Sequence, residues 1–229
     1  MSRILMKGLA VGLGLFAGLA SAKSAQITEI EANDTLATAQ DIDAYFTLDN
    51  SGDILDSTIY PHVSVLGFAP TTSQSPNYDV YRFVVPMAGL GIFDIDYGMR
   101  GDATTGTPAT GCPGPGCLDP QLKLFSSTGS LLFSNDDAPV GSGAGGSYVA
   151  EDSFFTYMFD DADTYYIQVG SFDNVPLKNR DGNYLLHVSI ENHELMNASV
   201  NVPEPATLAL FGIGLLGLGA ATRRQRKSA

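Results

Sequence analysis

The sequence predicts an all-β protein: a single antiparallel, jelly-roll-like β-sandwich, flanked by an N-terminal signal peptide and a C-terminal transmembrane helix. Apolar and polar residues alternate in several short stretches, as they do in half-buried strands. Gly, Pro, Asn and Asp separate these stretches, as they do in turns. Between the two apolar ends, no long stretch repeats with the 3.6-residue period of a helix. About eight short strands with turn-rich links are typical of a sandwich.

Four stretches alternate most clearly, and each places aromatic or aliphatic side chains on one face. These side chains are Tyr81, Phe83 and Val85 in the first, Phe93, Ile95 and Tyr97 in the second, Tyr165, Ile167 and Val169 in the third, and Tyr184, Leu186, Val188 and Ile190 in the fourth. The opposite face carries Arg82, Asp94 or His187, so we expect one face of each strand to contact water. Weaker patterns predict strands at residues 53–60, 121–125, 131–134 and 152–159.

Two stretches rich in Gly, Pro, Ser and Thr, residues 101–118 and 138–149, do not fit strands. We interpret both as long surface loops. Loops on a rigid sandwich carry recognition in many proteins, but they are also tolerated as insertions without a role. The sequence leaves both interpretations open.

The N-terminus has the three parts of a secretory signal peptide. Arg3 and Lys7 supply positive charge, residues 8–19 are apolar, and the small residues Ala20 and Ala22 form a cleavage site. We predict that signal peptidase cuts after Ala22. An uncleaved anchor is the alternative, although this apolar run is shorter than the roughly 20 residues that span a bilayer.

The C-terminus carries a second apolar segment. Residues 206–222 contain no charge and reach the lower length limit of a transmembrane helix. The basic tail at residues 223–229 is expected to stay in the cytoplasm while the body lies outside. The sequence therefore predicts a signal peptide at residues 1–22, a sandwich domain at residues 23–200 and a C-terminal segment at residues 201–229.

The body between these ends is strongly acidic. Of the 12 Lys and Arg, two lie in the signal peptide and four in the tail, while all but one of the 25 Asp and Glu lie in the body, which gives the body a formal charge of −18. Such a surface repels nucleic acid and anionic lipid and attracts cations. We therefore exclude nucleic acid as a partner.

Only two cysteines occur, Cys112 and Cys117 in the sequence GCPGPGC. Export to an oxidising compartment and the short loop between the cysteines predict one local disulfide. Free thiols and a two-cysteine metal site are the alternatives.

The body contains three histidines, His62, His187 and His193, but no local signature of a hydrolase. The G-x-S-x-G, H-E-x-x-H and Cys-His patterns are all absent from the sequence. We therefore assign no catalytic residue. A pair of carboxylates that hydrolyses a glycan has no local signature, so a secreted carboxylate-based glycan hydrolase stands as the alternative to a non-catalytic module.

The densest group of oxygen donors lies in TEIEANDT, residues 28–35. In an extended segment Glu29 and Glu31 project from the same face, and Asn33 and Asp34 add two donors around a turn. Calcium takes six to eight oxygen ligands, so these residues are a candidate start of a Ca²⁺ site. Alternatively, Asn33 or Asp34 caps a short helix and the glutamates are solvated.

The body resembles the bacterial pre-peptidase C-terminal domain family in five motifs that occur in the family's order. These motifs are EIEANDTLATAQDID, YDVYRFVVPMAG, LDPQLKLFSSTGSLLFSNDDAPVGSG, ADTYYIQVGSF and GNYLLHVSIEN. The family is similar in fold to the collagen-binding domains of clostridial collagenases. The resemblance implies a non-catalytic β-sandwich of the kind that accompanies secreted enzymes.

The same resemblance implies a set of calcium ligands. In the calcium-binding members an E-x-E-x-N-D segment binds the metal together with aspartates at the D-x-Y-x-F strand. The matching residues here are Glu29, Glu31, Asn33, Asp34 and Asp79. Pro76 stands where a second aspartate of the family would fall, which argues for one ion rather than two.

Asn135, Asp136 and Asp137 form a second, weaker candidate for a metal site, with Asp119 expected close by in the fold. The alternative is a polar turn at the end of a hairpin.

The C-terminal segment VPEPATLALFGIGLLGLGAATRRQRK is similar to the PEP-CTERM sorting signal of Gram-negative bacteria. It has the motif Val202, Pro203, Glu204 and Pro205, then an apolar helix and a basic cluster. The resemblance implies processing by exosortase, a membrane-embedded cysteine transpeptidase. An ordinary membrane anchor is the alternative.

Taken together, the sequence predicts a non-catalytic exported protein that exosortase sorts to the cell envelope, cell surface or extracellular matrix of a Gram-negative bacterium. We expect a structural or adhesive role, with exopolysaccharide or another matrix component as a partner and with Ca²⁺ bound at the start of the domain.

Overall fold

The structure is a computed structural model of the 229-residue chain. It describes residues 26–68, 77–98, 101–108, 118–172, 176–177 and 182–195. The chain separates into two compact units, Met1–Glu194 and Leu195–Ala229. The predicted signal peptide, the predicted disulfide, Pro76 and the PEP-CTERM segment all lie outside the described residues.

The regular elements in the described part of the first unit are strands and one 3-10 turn, so the all-β prediction is confirmed. The elements are β1 Gln26–Thr28, β2 Gln40–Asp41, the 3-10 turn Asp43–Tyr45, β3 His62–Phe68, β4 Asp79–Val85, β5 Gly89–Asp96, β6 Gly101–Asp102, β7 Thr107–Pro108, β8 Pro120–Ser126, β9 Leu131–Asn135, β10 Phe154–Phe159, β11 Asp163–Ser171 and β12 Asn183–Ile190. No helix within these residues is long and apolar enough to cross a membrane.

The long strands form two sheets. Their antiparallel pairs are nested in the sequence, so that each inner pair lies between the two strands of another. One sheet, which we call sheet A, has the order β1-β3-β12-β5-β10, and the other, sheet B, has the order β2-β4-β11-β8-β9. Antiparallel pairs join β3 to β12, β4 to β11, β5 to β10 and β8 to β9, each pair enclosed by the one before it. This nesting is the strand order of a jelly roll, in which one long hairpin of strands is rolled into two sheets.

The prediction of a purely antiparallel sandwich is wrong at one edge of each sheet. β1 pairs with β3 in parallel, and β2 pairs with β4 in parallel. An antiparallel pair needs a chain reversal, whereas parallel strands need a crossover. The chain supplies the crossovers here because β1 and β2 lie in different sheets, so each is followed by a strand of the other sheet.

The side chains that alternate in the sequence meet in the core, as predicted. The core contains Tyr81, Phe83, Val85, Phe93, Ile95, Tyr165, Ile167, Val169, Tyr184, Leu186, Val188 and Ile190. Tyr97 is the exception. β5 ends at Asp96, and Tyr97 has a φ of 61°, which turns the chain away from the strand. Its ring packs in a separate small cluster with Leu66, Ala103 and Leu185.

Three of the four weaker strand predictions are confirmed, as β8, β9 and β10, but the strand predicted at residues 53–60 is wrong. That stretch is a series of turns, because Asp56 has a left-handed φ of 54° and its carbonyl accepts hydrogen bonds from the amides of Ile59 and Tyr60. β3 is a strand that the sequence pattern does not predict. Both faces of β3 are buried, so it lacks the polar alternation that marks a half-exposed strand.

Residues 101–118 were predicted to be loop throughout. The structure instead pairs β6 with β7 as a short antiparallel hairpin at the start of this stretch. The prediction missed it because two-residue strands are too short to show any periodicity.

The prediction that the outer face of sheet A contacts water is wrong. All eight residues of β12 are buried, and so are seven of the eight residues of β5. The stretch that we call the glycine loop, residues 138–149, covers this face: Gly143 packs against Asp94, and Gly146 packs against Asp96. The alternation in these strands therefore separates the core from a buried polar layer rather than from solvent.

Candidate metal centre

Two glutamates that follow β1 meet the first residue of β4. The amide of Glu29 donates to the carbonyl of Leu66 at 3.0 Å, which continues the pairing of β1 with β3 by one residue. One donor atom each from Glu29, Glu31 and Asp79 lies within 4.8 Å of the others. We call these three residues the N-terminal carboxylate cluster. Among the described residues, no other three acidic, His or Cys side chains converge this closely.

Asp79 is the buried member of this cluster, and polar side chains contact its carboxylate. Its side chain is fully buried. Tyr184 donates its hydroxyl to Oδ2, and Asn77 Nδ2 lies 3.5 Å from Oδ1. The Tyr184 hydroxyl is in turn 2.7 Å from that of Tyr81. These neighbours fix the orientation of the carboxylate, but they are neutral and leave its charge uncompensated.

Glu29 presents one oxygen with a partner and one without. Oε2 accepts a hydrogen bond of 2.7 Å from the amide of Phe68, at the end of β3. Oε1 is buried and has no hydrogen-bond partner. A buried acceptor without a donor costs free energy unless something else satisfies it, and a bound cation would satisfy it.

Asn33 lies next to this cluster and Asp34 does not converge with it. The carbonyl of Asn33 accepts from the amide of Val80 at 3.0 Å, which places Asn33 beside Asp79. Its side chain is fully buried, and its amide lies close to the Tyr81 hydroxyl. Asp34 has one buried oxygen without a partner, but it is not among the three converging carboxylates.

The helix-cap alternative for this segment does not match the structure. Residues 35–38 form a single turn in which the amide of Thr38 donates to the carbonyl of Thr35 at 3.0 Å. The amide of Thr35 bonds to the Thr38 hydroxyl at 3.2 Å. No helix follows Asn33 that its side chain would cap.

The electrostatics of the N-terminal carboxylate cluster favour a cation. Burial raises the pKa of Glu29 from 4.5 to about 7, and the charge of Glu31 adds to this, while the hydrogen bond from Phe68 opposes it. Burial, and then the charge of Glu29, raises the pKa of Asp79 well above its ordinary value. Carboxylates crowded in this way keep a proton unless a cation compensates their charge.

The donor set fits calcium. The cluster offers three carboxylates, and the main chain of Asn33 lies beside the strand that begins with Asp79. Calcium prefers oxygen ligands in an irregular shell of six to eight, and it accepts carboxylates and amide carbonyls together.

The second predicted metal site is only partly assembled. The pKa of Asp119 rises to about 6 because of burial and then because of the charges of Asp136 and Asp137, so these three acids lie near one another. Asn135 is used differently: its Oδ1 accepts from the amide of Phe154 at 3.0 Å, and its Nδ2 donates to the carbonyl of Asp137 at 2.9 Å. The site stays a prediction.

A buried Ser-His-Asp contact that the sequence analysis missed spans three strands of sheet A. Ser64 Oγ lies 2.8 Å from His187 Nδ1, and His187 Nε2 lies 3.1 Å from Asp96 Oδ2. A catalytic serine has to reach a substrate, whereas Ser64 is only 3% exposed. We interpret the contact as a structural network. No local motif could have revealed it, because its members are 123 and 91 residues apart.

The other two histidines also have structural partners. His62 Nε2 lies 3.3 Å from Asp49 Oδ1. His193 stacks on Phe46 with ring centres 3.8 Å apart, and its Nε2 lies 3.1 Å from Asp43 Oδ1.

Fold and site together define an acidic β-sandwich with a carboxylate cluster suited to a hard cation, and comparisons with known proteins add a sorting signal. Residues 201–225 match the family model of the PEP-CTERM protein-sorting motif. The prediction of a PEP-CTERM sorting signal is thereby confirmed, while the transmembrane helix at residues 206–222 stays a prediction. This motif implies an exported chain that is processed by exosortase and directed to the cell envelope.

No curated protein matches the chain. Among solved structures, the pre-peptidase C-terminal domain of a collagenase from Bacillus anthracis is similar, with 13% identity and a TM-score of 0.32. The alignment covers 56% of this chain and 87% of that one. The assignment of the sandwich rests on the strand pairing described above and not on this likeness.

Proposed function

We propose that this chain is an exported, non-catalytic β-sandwich protein of the cell envelope or extracellular matrix, where it has a structural or adhesive role in contact with exopolysaccharide. The match of residues 201–225 to the PEP-CTERM motif is the observation that supports this proposal most strongly. In the proposal, residues 1–22 direct export, residues 206–222 hold the chain in the membrane, and exosortase acts near the motif at residues 202–205.

Calcium has a mechanical role in this proposal. Glu29 follows β1 and bonds to the end of β3, both in sheet A, whereas Asp79 begins β4 in sheet B. An ion bound by Glu29, Glu31 and Asp79, with Asn33 beside them, would connect the two sheets where the domain begins. It would supply positive charge to three carboxylates that otherwise repel one another. A surface protein under load gains from such a connection.

Intact mass spectrometry of the protein from cell surface and medium tests the proposed sorting. In a host with exosortase we expect a chain that begins after Ala22 and ends near Pro205, with or without an attached group. In a matched host without exosortase, the C-terminal segment should be retained. Glu204→Ala should reduce processing in the first host, because it changes the motif, and Glu194→Ala should not.

Two results would contradict the sorting proposal. One is a chain recovered from the cytoplasm with both ends intact. The other is an identical mass in the two hosts.

The adhesive role has a separate readout: the processed protein should sediment with exopolysaccharide purified from the same host, and complete recovery in the supernatant in the presence of calcium would contradict that role.

A further inference from the structure

A second group of acids lies on the outer face of sheet A, away from the N-terminal carboxylate cluster. Asp94 and Asp96 project from this face of β5, Asp152 lies two residues before β10, and Asp53 comes from the turns before β3. The charges of the other three all act on Asp94. We call these four residues the aspartate cluster.

Asp94 is the member that points most clearly to a ligand. Its side chain is 2% exposed, and neither of its carboxylate oxygens has a hydrogen-bond partner. Asp96 differs, since it bonds to His187 at 3.1 Å and to the Ser147 hydroxyl at 3.3 Å. A buried carboxylate without donors is costly, and placing three more aspartates around it raises that cost.

Glycine backbone lies against every member of the aspartate cluster. Each of its members faces a glycine, at which an added Cβ would lie too close to the aspartate. The separations would be 1.6 Å from Gly143 to Asp94 Oδ2, 2.0 Å from Gly146 to Asp96 Cγ, 2.7 Å from Gly145 to Asp53 Oδ1 and 2.9 Å from Gly98 to Asp152 Oδ1. Three of these glycines belong to the glycine loop. The glycine backbone therefore lies closer to these carboxylates than a residue with a side chain could.

We propose that the aspartate cluster and the glycine loop form a second Ca²⁺ site. Carboxylate oxygens combined with main-chain carbonyls in an irregular loop are the ligands that calcium accepts. Magnesium requires a stricter octahedral shell and keeps more of its water. An ion here satisfies both oxygens of Asp94 and fastens the glycine loop to sheet A, which gives this long loop a structural role.

The aspartate cluster is more open than the N-terminal carboxylate cluster. No three of its members bring donor oxygens within 4.8 Å of one another. Opposite ligands of calcium lie about 4.6–5.2 Å apart, however, and carbonyls between them spread the carboxylates further. The wider spacing thus fits a shell shared between side chains and loop backbone.

Counting bound calcium tests this site. Equilibrium dialysis with radioactive calcium is carried out on the purified full-length chain, on Asp94→Asn, on Glu31→Gln and on the double variant. Asp94→Asn removes the charge but keeps the side-chain shape, and far-ultraviolet circular dichroism checks that each variant is folded. We expect each single variant to lose one ion, or to bind it at least about tenfold more weakly, and the double variant to lose both.

Asp53→Asn provides a second variant at the edge of the site and should weaken the same ion. Asp160→Asn, an exposed acid on the turn after β10, is the control for the loss of one charge and should bind as the wild type does. Unchanged calcium binding in both Asp94→Asn and Asp53→Asn would overturn the second site. Unchanged binding in Glu31→Gln alone would instead contradict the calcium part of the proposed function and leave the second site standing.

Discussion

The carboxylate of Asp43 joins three parts of the chain. Its Oδ1 accepts hydrogen bonds from the amide of Val84 at 2.7 Å and from His193 Nε2 at 3.1 Å, and its Oδ2 accepts from Arg82 at 3.1 Å. Burial alone would raise the pKa of Asp43. The hydrogen bonds from His193 and Val84 and the charges of His193 and Arg82 outweigh burial and lower that pKa below 3.8.

We predict that Asp43→Asn lowers the free energy of unfolding in a pH-dependent way. The pKa of Asp43 is lower in the folded chain than in the unfolded chain, so its ionised form stabilises the fold above pH 3.8. That contribution is lost as the pH falls through the folded pKa. Between pH 5 and 6 we expect a loss of about 1.5–3 kcal/mol, which shrinks toward pH 3.

Urea unfolding of both proteins between pH 3 and 6 measures this difference. Asp160→Asn is the control, because that acid is exposed. If the difference in free energy of unfolding between wild type and Asp43→Asn is the same at every pH, the ionised carboxylate is not the stabilising group.

At this scale the sequence could predict neighbours in the chain but not partners across the fold. Glu29 and Glu31 are two residues apart in an extended segment, which is enough to place them on one face. Asp79 was assigned only through the family resemblance. Tyr184 bonds to Asp79 from 105 residues away, and no local pattern carries that information.

Within the glycine loop, two glycines are required for different physical reasons. Gly141 and Gly143 have nearly the same φ, 79° and 81°, so alanine at either position is strained to a similar degree. They differ in surroundings: nothing lies within 4 Å of a Cβ at Gly141, whereas a Cβ at Gly143 meets the Asp94 carboxylate. Conformation alone explains the first glycine, and close packing is needed to explain the second.

We predict that Gly143→Ala destabilises the protein more than Gly141→Ala does. The backbone penalty is shared, so the difference reports the collision with Asp94, for which overpacking gives about 1–3 kcal/mol. Urea unfolding of the two variants in excess chelator measures it without any contribution from bound ions. Equal losses in the two variants would mean that the loop does not rest on Asp94.

Elements were predictable where one face was polar and the other apolar. β4 and β11 show this pattern and were found. β5 and β12 were found because their outer faces include polar residues, such as Asp94 and His187, although these residues are buried. β3 was missed because Ser64 is the main polar residue between its buried apolar positions. The strand predicted at residues 53–60 failed at Asp56, since nothing in the sequence marks its left-handed φ.

For the whole molecule, the acidity of the body and the two acid clusters lead to one expectation: cations should stabilise the fold in two different ways. The body carries a formal charge of −18, and any salt screens the repulsion among these charges. Ions bound at the two proposed sites would act instead on a few carboxylates, and simple screening would not replace them. Comparing calcium with potassium salts therefore distinguishes ion binding from general screening.

We predict that 1 mM calcium chloride raises the Tm of the full-length chain far more than potassium chloride of the same ionic strength does. An ion present at a hundredfold excess over its Kd adds about 2.7 kcal/mol, which corresponds to roughly 5–11 °C for a domain of this size. At such a low ionic strength the Debye length is about 30 Å or more, so both salts screen the surface charges weakly and equally. Glu31→Gln should reduce the calcium response, because it removes one carboxylate of the N-terminal cluster.

In chelator, Glu31→Gln should melt no lower than the wild type. Glu31 adds to the repulsion that raises the pKa of Glu29, so its replacement by Gln should leave the Tm unchanged or raise it when no calcium is present. A variant that merely disrupts packing would melt lower than the wild type in both conditions. Melting curves of the wild type that coincide in calcium and in chelator would mean that protons, rather than calcium, neutralise the buried carboxylates.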